Sequence, residues 1–456
     1  MLFWEEISLK HRQKGFERPP SHIVAQNSSY ATVDGEFDSI EDRSFLTIDD
    51  YNLYGQNVIL RIDINSSINP ENGDLLDDTR IKRHSATVKE LSDREARVII
   101  LAHQSRPGKL DFVNLEKHGI RMSQIIDKEI KFVDDIYGEK AIKHIEKIKN
   151  GEIILLDNVR FDNEENELND FLNDNFDVQR NSKMVRKLAS HASFFINDAF
   201  AASHRCQPSL VGFAEHMPAL AGRVMQRELD FLGKAVSSGP TPRIAVLGGS
   251  KAADSVTIAE NFLEKGVEKI LTGGVVANIF LIASGVDIGK PSNEFIEKHI
   301  PKHKAVIKLA RELLNKYNGR IEVPSDVALN VEGKRNGTNI SNLPQNYSLH
   351  DIGIDTLVKY ITTIGKAGTI IANGPMGVFE DSEFATGTNE IFNAISKSDG
   401  MTVIGGGETA MAFNQMGLAT GIKHISTGGG ACISFMSGET MPVLEAMRRS
   451  KKKFHK

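Results

Sequence analysis

The sequence predicts an α/β protein built on mainly parallel sheets, and three observations carry that prediction. From Thr47 onward, apolar runs of strand length alternate with helix-like segments. Most strand candidates are continuous apolar runs, as parallel strands covered on both faces should be. Their ends also differ between the two halves of the chain: the first half runs into Arg, His and Asp, the second into glycine. Ligands collect beyond the carboxyl ends of strands in open parallel sheets, so two chemically distinct half-sites are implied. Two Rossmann-like domains joined by a long hinge helix satisfy all three observations.

Along the chain, residues 1–44 are polar and aperiodic, with Pro19-Pro20 and Ser28-Ser29, and read as an extension outside the core. An N-terminal domain is expected over 45–217, with strands at 57–64, 97–103, 152–158 and 193–198. Helical spacing between them is clearest at Ala141-Ile-Lys-His-Ile-Glu-Lys-Ile148. Pro218 to Val236 is expected to form one long helix, broken by Ser237-Ser-Gly-Pro-Thr-Pro242, so 218–242 is the predicted interdomain helix and hinge. The second domain, 243–435, carries strands at 243–248, 269–272, 321–324, 369–373, 401–405 and 424–426. Residues 436–456 form a final segment with the basic run Arg448-Arg-Ser-Lys-Lys-Lys453, a solvated end more often than a partner site.

Composition bounds the function. At 456 residues the chain exceeds one hydrophobic core, and 40% apolar with 25% charged residues is ordinary for a globular protein. No apolar stretch approaches the roughly 20 residues of a membrane span. Cys206 and Cys432 are the only cysteines, which supplies no disulfide framework or zinc motif and suits a reducing cytoplasm. The net charge of −5 argues against a general nucleic-acid surface.

The first rim reads Arg61-Ile-Asp-Ile-Asn65, Asp77-Asp-Thr-Arg80, His103-Gln-Ser-Arg106, Asp157-Asn-Val-Arg160 and His204-Arg205. Guanidinium forks there suit bidentate phosphate or carboxylate. Asp63 and Asn65 lie two apart and share a face of an extended strand; they offer an acceptor and an amide to substrate hydroxyls, or Asp63 fixes a neighbouring arginine.

The second rim reads Gly248-Gly-Ser-Lys251, Gly273-Gly274, Asn373-Gly-Pro-Met-Gly-Val-Phe-Glu380, Gly405-Gly-Gly-Glu-Thr409 and Ser426-Thr-Gly-Gly-Gly430. A strand, glycine turn and helix start can bind phosphate through backbone N–H groups. Neither GxxxxGK[ST] nor GxGxxG is present, which weighs against a Walker loop and against an NAD-dependent dehydrogenase. Glu380 could accept from ribose hydroxyls, and Glu408 could reach Mg²⁺ held by nucleotide phosphates.

In this order and combination the motifs resemble the phosphoglycerate kinase family over roughly residues 45–447. His103-Gln-Ser-Arg-Pro107 and Thr272-Gly-Gly-Val-Val-Ala-Asn278 are similar to its archaeal branch. The resemblance implies reversible, Mg²⁺-dependent phosphoryl transfer from 1,3-bisphosphoglycerate to ADP after hinge closure, in a monomeric cytoplasmic enzyme without nucleic-acid or membrane partners. It implies Asp63, Ile64, Asn65, Arg80, His103, Gln104, Ser105, Arg106, Arg160 and Arg205 as the phosphoglycerate site, with Arg80 and Lys251 catalytic. For ATP or ADP it implies Gly248, Gly249, Lys251, Gly273, Asn373, Glu380, Gly406, Gly407, Glu408 and Thr409, with Glu408 toward the metal. The chain departs from the common family pattern at Ile64, Gln207, Ser255 and Glu408, where Phe, His, Lys and Asp are usual. A non-catalytic nucleotide-binding scaffold is the alternative that Ser255, the N-terminal extension and the basic tail leave open.

Overall fold

A computed structural model of the chain describes residues 44–169 and 176–455; the expected extension, apart from Ser44, lies outside them. The chain divides into two compact units, one running to Arg227 and including Thr440–Lys456, the other Glu228–Glu439.

The first unit holds a seven-stranded sheet: β1 (Leu46–Thr47), β2 (Asn57–Arg61), β3 (Arg97–Leu101), β4 (Ile130–Val133), β5 (Ile153–Leu156), β6 (Phe194–Asn197) and β7 (Ala219–Ala221). Its order is β1-β7-β6-β2-β3-β5-β4, and every pairing is parallel. The chain builds outward from β2 on one side and then returns to add β6 on the other. The β2/β6 edge is thus a switch point, where ligands bind in such sheets. Val58, Leu60, Val98, Ile100, Leu155 and Ile196 fill its core.

In the second unit the strands are β8 (Arg243–Leu247), β9 (Lys269–Thr272), β10 (Ile321–Glu322), β11 (Asp326–Val331), β12 (Lys334–Asn339), β13 (Leu349–Ile352), β14 (Thr369–Asn373), β15 (Met401–Gly405) and β16 (His424–Ile425). The parallel sheet runs β10-β9-β8-β14-β15-β16. Ranked by position in the chain this is the 3-2-1-4-5-6 arrangement of dinucleotide-binding folds, with its switch point between β8 and β14. Ile244, Val246, Ile370, Ile404, Phe392 and Phe413 form its core.

Several expectations need correction. The segment from Pro218 does not form one helix. Ala219–Ala221 pairs with both β6 and β1, the helix proper is Arg223–Gly233, and Lys234–Ser238 forms a wider π-helical turn. Gly222 makes the turn between strand and helix, because a Cβ there would lie 2.3 Å from an oxygen of Asp198. The strands also stop earlier than their apolar runs: β2 ends at Arg61 and β5 at Leu156, leaving Ile62 to Asn65 and Asp157 to Arg160 as ligand-side loops. The antiparallel sheet β12-β11-β13 was not anticipated, since β12 is Lys-Arg-Asn-Gly-Thr-Asn and largely exposed, without apolar alternation. The first unit ends at Arg227 before resuming at Thr440.

Candidate active site

Beyond β2 the buried Arg61, 1% exposed, donates from Nε to Ser209 Oγ (3.0 Å) and from Nη2 to His103 Nδ1 (3.1 Å). Arginine can only donate, so His103 Nδ1 accepts and the imidazole proton sits on Nε2. Burial holds the His103 pKa well below the usual range, and the guanidiniums of Arg61, Arg160, Arg205 and Arg80 push it the same way. His103 is therefore a neutral donor under the influence of four cations. Arg160 is lowered to about 10, first by burial and then by Arg205 and Arg61. Such mutual repulsion suits a multiply charged anion, which would relieve it.

The loops around this cluster are locked by short-range chemistry. Arg80, in the helix Thr79–Asp93, donates to Asp63 Oδ2, and Asp63 Oδ1 accepts from Asn65 N–H at 3.2 Å. Asp63 thus fixes an arginine, one of the two roles its spacing allowed. Asn65 Oδ1 accepts from Ser105 N–H at 2.8 Å, while Arg160 donates to the Ser105 carbonyl. Ser105 has φ 56°, and its Oγ donates to Asp111 Oδ1 at 2.5 Å.

Not every expected residue faces the ligand side. Ile64 and Gln104 are fully buried. Gln104 accepts from Ser66 N–H and donates to the Ser66 carbonyl, both at 3.0 Å, so both residues offer a ligand only their backbone. Arg106 is exposed. Glu165 and Ser209 escaped the sequence reading altogether: Ser209 donates to Glu165 from N–H (2.8 Å) and Oγ (2.6 Å) beneath Arg61. Their position just downstream of Arg160 and Arg205 was the available signal.

In the second unit several of the glycines answer to close packing. A Cβ at Gly248 would lie 2.1 Å from the Pro375 carbonyl oxygen, one at Gly374 2.2 Å from that of Gly248, and one at Gly273 2.6 Å from Met376 Sδ. Loop-on-loop packing at the β8/β14 switch point demands these glycines. Gly248 N–H donates to Asn373 O (2.9 Å) and Gly249 N–H to Pro375 O (2.7 Å). Gly407 differs: nothing lies within 4 Å of its Cβ position, at the start of the helix Gly407–Gln415. Thr409 is buried and accepts from Gly374 N–H at 2.8 Å, tying two loops together. Lys251, at the start of the helix Ala252–Glu264, Glu380 and Glu408 all stand exposed. Ser255, in the first turn of that helix, is buried.

The described residues contain no grouping of three His, Cys, Asp or Glu able to cage a metal ion. One exposed carboxylate, Glu408, beside an open helix start fits Mg²⁺ held chiefly by nucleotide phosphates and water.

The family model described as phosphoglycerate kinase matches residues 48–439. This chain belongs to the phosphoglycerate kinase family. It is 46% identical over 413 residues to the phosphoglycerate kinase of Methanothermus fervidus, covering 90% of this chain and 99% of the relative. With that of Thermoplasma volcanium it shares 43% over 411 residues, again 90% and 99%. The crystal structure of phosphoglycerate kinase from Pyrococcus horikoshii OT3 superposes with a TM-score of 0.75 at 38% identity, over 90% of this chain and 100% of that one. The enzyme from Coxiella burnetii gives 0.76 at 30%, over 89% and 99%. As a phosphoglycerate kinase the protein transfers a phosphoryl group reversibly from 1,3-bisphosphoglycerate to ADP, giving 3-phosphoglycerate and ATP. ATP and ADP are its co-substrates, and no helix among the described residues is long and apolar enough to cross a membrane.

Proposed function

We infer that the kinase divides its two substrates between its two rims. The observation that carries this is the cluster of Arg61, bonded to His103 Nδ1 at 3.1 Å, with Arg80, Arg160 and Arg205, whose charges all act on neutral His103. Asn65, His103, Arg160 and Arg205 hold phosphoglycerate, with Asp63 orienting Arg80 and Arg106 closing over the anion from the exposed loop. Ile64, Gln104 and Ser105 contribute backbone at the same site. On the second unit, Gly248, Gly249, Lys251, Gly273, Asn373, Gly406, Gly407 and Thr409 serve the nucleotide phosphates, and Glu380 the ribose.

Phosphoryl transfer needs positioning and neutralisation of spreading charge rather than a covalent enzyme intermediate. Arg80 and Lys251 supply that charge from the two substrate sites, once hinge closure brings the substrates into line and excludes water from the acyl phosphate. Glu408 would hold Mg²⁺, which when bound neutralises the nucleotide's phosphate oxygens. The two buried free cysteines and the modest net charge support a cytoplasmic enzyme with no nucleic-acid partner.

A coupled assay with ATP, Mg²⁺ and 3-phosphoglycerate tests the reading. Turnover is expected only with Mg²⁺, and Glu408→Gln should need several-fold more Mg²⁺ for half-maximal rate. Nucleotide binding without turnover would favour the non-catalytic scaffold instead.

A further inference from the structure

Beneath the cation cluster lies a carboxylate that touches no surface. Glu165 is 0% exposed, and its two oxygens accept from Ser209 N–H and Ser209 Oγ. Ser209 Oγ accepts in turn from Arg61 Nε, and Arg61 Nη2 donates to His103 Nδ1. The Glu165 backbone carbonyl is itself held by Gln207 Nε2 at 2.9 Å. The result is a continuous chain, Glu165–Ser209–Arg61–His103, in which Arg61 is held further by donating from Nη1 to the Ile62 carbonyl. We propose that Glu165 is the positioning residue of the phosphoglycerate half-site: its ionised form fixes Arg61 through Ser209, which sets the His103 tautomer and aims Nε2–H at the substrate.

The charges facing Glu165 come from three elements. Arg61 at the end of β2 and Arg160 after β5 both favour its ionised form, Ser209 donates to it, and Asp63 and Arg205 act on the same two guanidiniums. Burial outweighs them and lifts the Glu165 carboxyl to about 7 from 4.5. The raised value means the native state is favoured with the proton on, so Glu165 adds stability below pH 4.5 and loses it as pH rises through about 7. The substrate site gains over the same interval: above about pH 7 the carboxylate anchors Arg61 fully, below it a neutral acid leaves the cation cluster without its buried counter-charge. Affinity for phosphoglycerate therefore carries a titration near neutrality that belongs to the protein.

This inference rests on assigning the phosphoglycerate site to this rim, and steady-state kinetics separate the two. In Glu165→Gln we expect the KM for 3-phosphoglycerate to rise about five- to tenfold at pH 8, the worth of one such hydrogen bond. The kcat should stay within about twofold and the KM for ATP should not move, a split that general loss of structure does not produce. The inflection near pH 7 in kcat/KM for 3-phosphoglycerate should vanish in the variant, while the inflection of the substrate's own phosphate near pH 6 remains. Ser209→Ala, a milder change, should raise the same KM and add nothing to Glu165→Gln in the double variant. Unchanged KM and pH profile in Glu165→Gln, with a raised KM in Arg160→Ala, overturns the inference alone. Unchanged KM in both overturns the site assignment and the inference with it.

Discussion

Arg80 is the side chain on which the proposed chemistry turns, and its surroundings explain why. Its side chain is 39% exposed, more than Arg61 or Arg160, yet it is held by the nearly buried Asp63. That combination leaves the guanidinium partly free to meet a ligand while fixing its direction. Removing a donor that acts mainly on the charge developing during transfer should lower kcat rather than weaken binding. Arg80→Ala is expected to lose about 10²- to 10³-fold in kcat with the KM for ATP unchanged; unaltered turnover in a coupled assay would refute the assignment. Arg160 and His103 were legible in the sequence because each closes or follows an apolar run, and Arg80 because Asp77-Asp-Thr-Arg80 is one of the motifs that carry the family resemblance. Glu165 and Ser209 were not, because neither stands at a strand end and their meeting depends on two short helices distant in sequence, Asn163–Glu167 and Pro208–Val211. Gln104 and Ile64 illustrate the converse: a motif adjacent to a site also contains residues whose side chains turn inward, and extended spacing alone could not say which.

At the scale of elements, the glycine turns are constrained by packing as well as by any ligand. The diglycine at 248–249, taken alone, reads more readily as a tight turn than as a phosphate cradle, and the run from Asn373 as a closer ligand approach; the atoms that forbid a Cβ at Gly248 and Gly374 belong to neighbouring loops. The β8/β14 edge therefore needs these glycines whether or not a nucleotide is bound. Gly374 carries a second constraint, φ 90°, that side chains seldom adopt. Gly374→Ala should destabilise the protein by about 1–3 kcal/mol from overpacking, read as a lower midpoint in urea without nucleotide. Gly407→Ala is the contrast: its Cβ meets open space, φ is unexceptional and alanine favours a helix start over glycine. Its stability should be equal or slightly higher, while ATP affinity falls because the methyl fills the ligand's approach; equal loss of stability in both would show that packing is not the distinction. The three-stranded sheet β11–β13 was illegible because β12 is polar and exposed, so no alternation announced it, whereas the buried parallel strands β8, β14 and β15 announced themselves as apolar runs.

For the whole molecule, the consequential feature is that the first unit is discontinuous in sequence: residues up to Arg227 are completed by Thr440–Lys456. The closing helix, Pro442–Phe454, buries Val443, Ala446 and Met447. Its Ser450 Oγ accepts from Ala219 N–H at 2.8 Å and donates to Met217 O at 3.2 Å, pinning the start of β7. Fully burying Val and Met stabilises by about 1.5–3 kcal/mol each, and the two hydrogen bonds add about 1 kcal/mol apiece. The sum, roughly 5–8 kcal/mol, is comparable to the whole stability of a typical domain, about 5–15 kcal/mol. Truncation before Thr440 should therefore act on one unit selectively. Hydrogen exchange read by mass spectrometry is expected to show protection lost in β1, β6 and β7, which this helix completes, and retained in β8, β14 and β15. Affinity for 3-phosphoglycerate should disappear with the first group while nucleotide binding persists with the second. Loss of protection spread evenly over both units, or none in β7, would mean that the C-terminal helix is not an integral part of the first unit's fold.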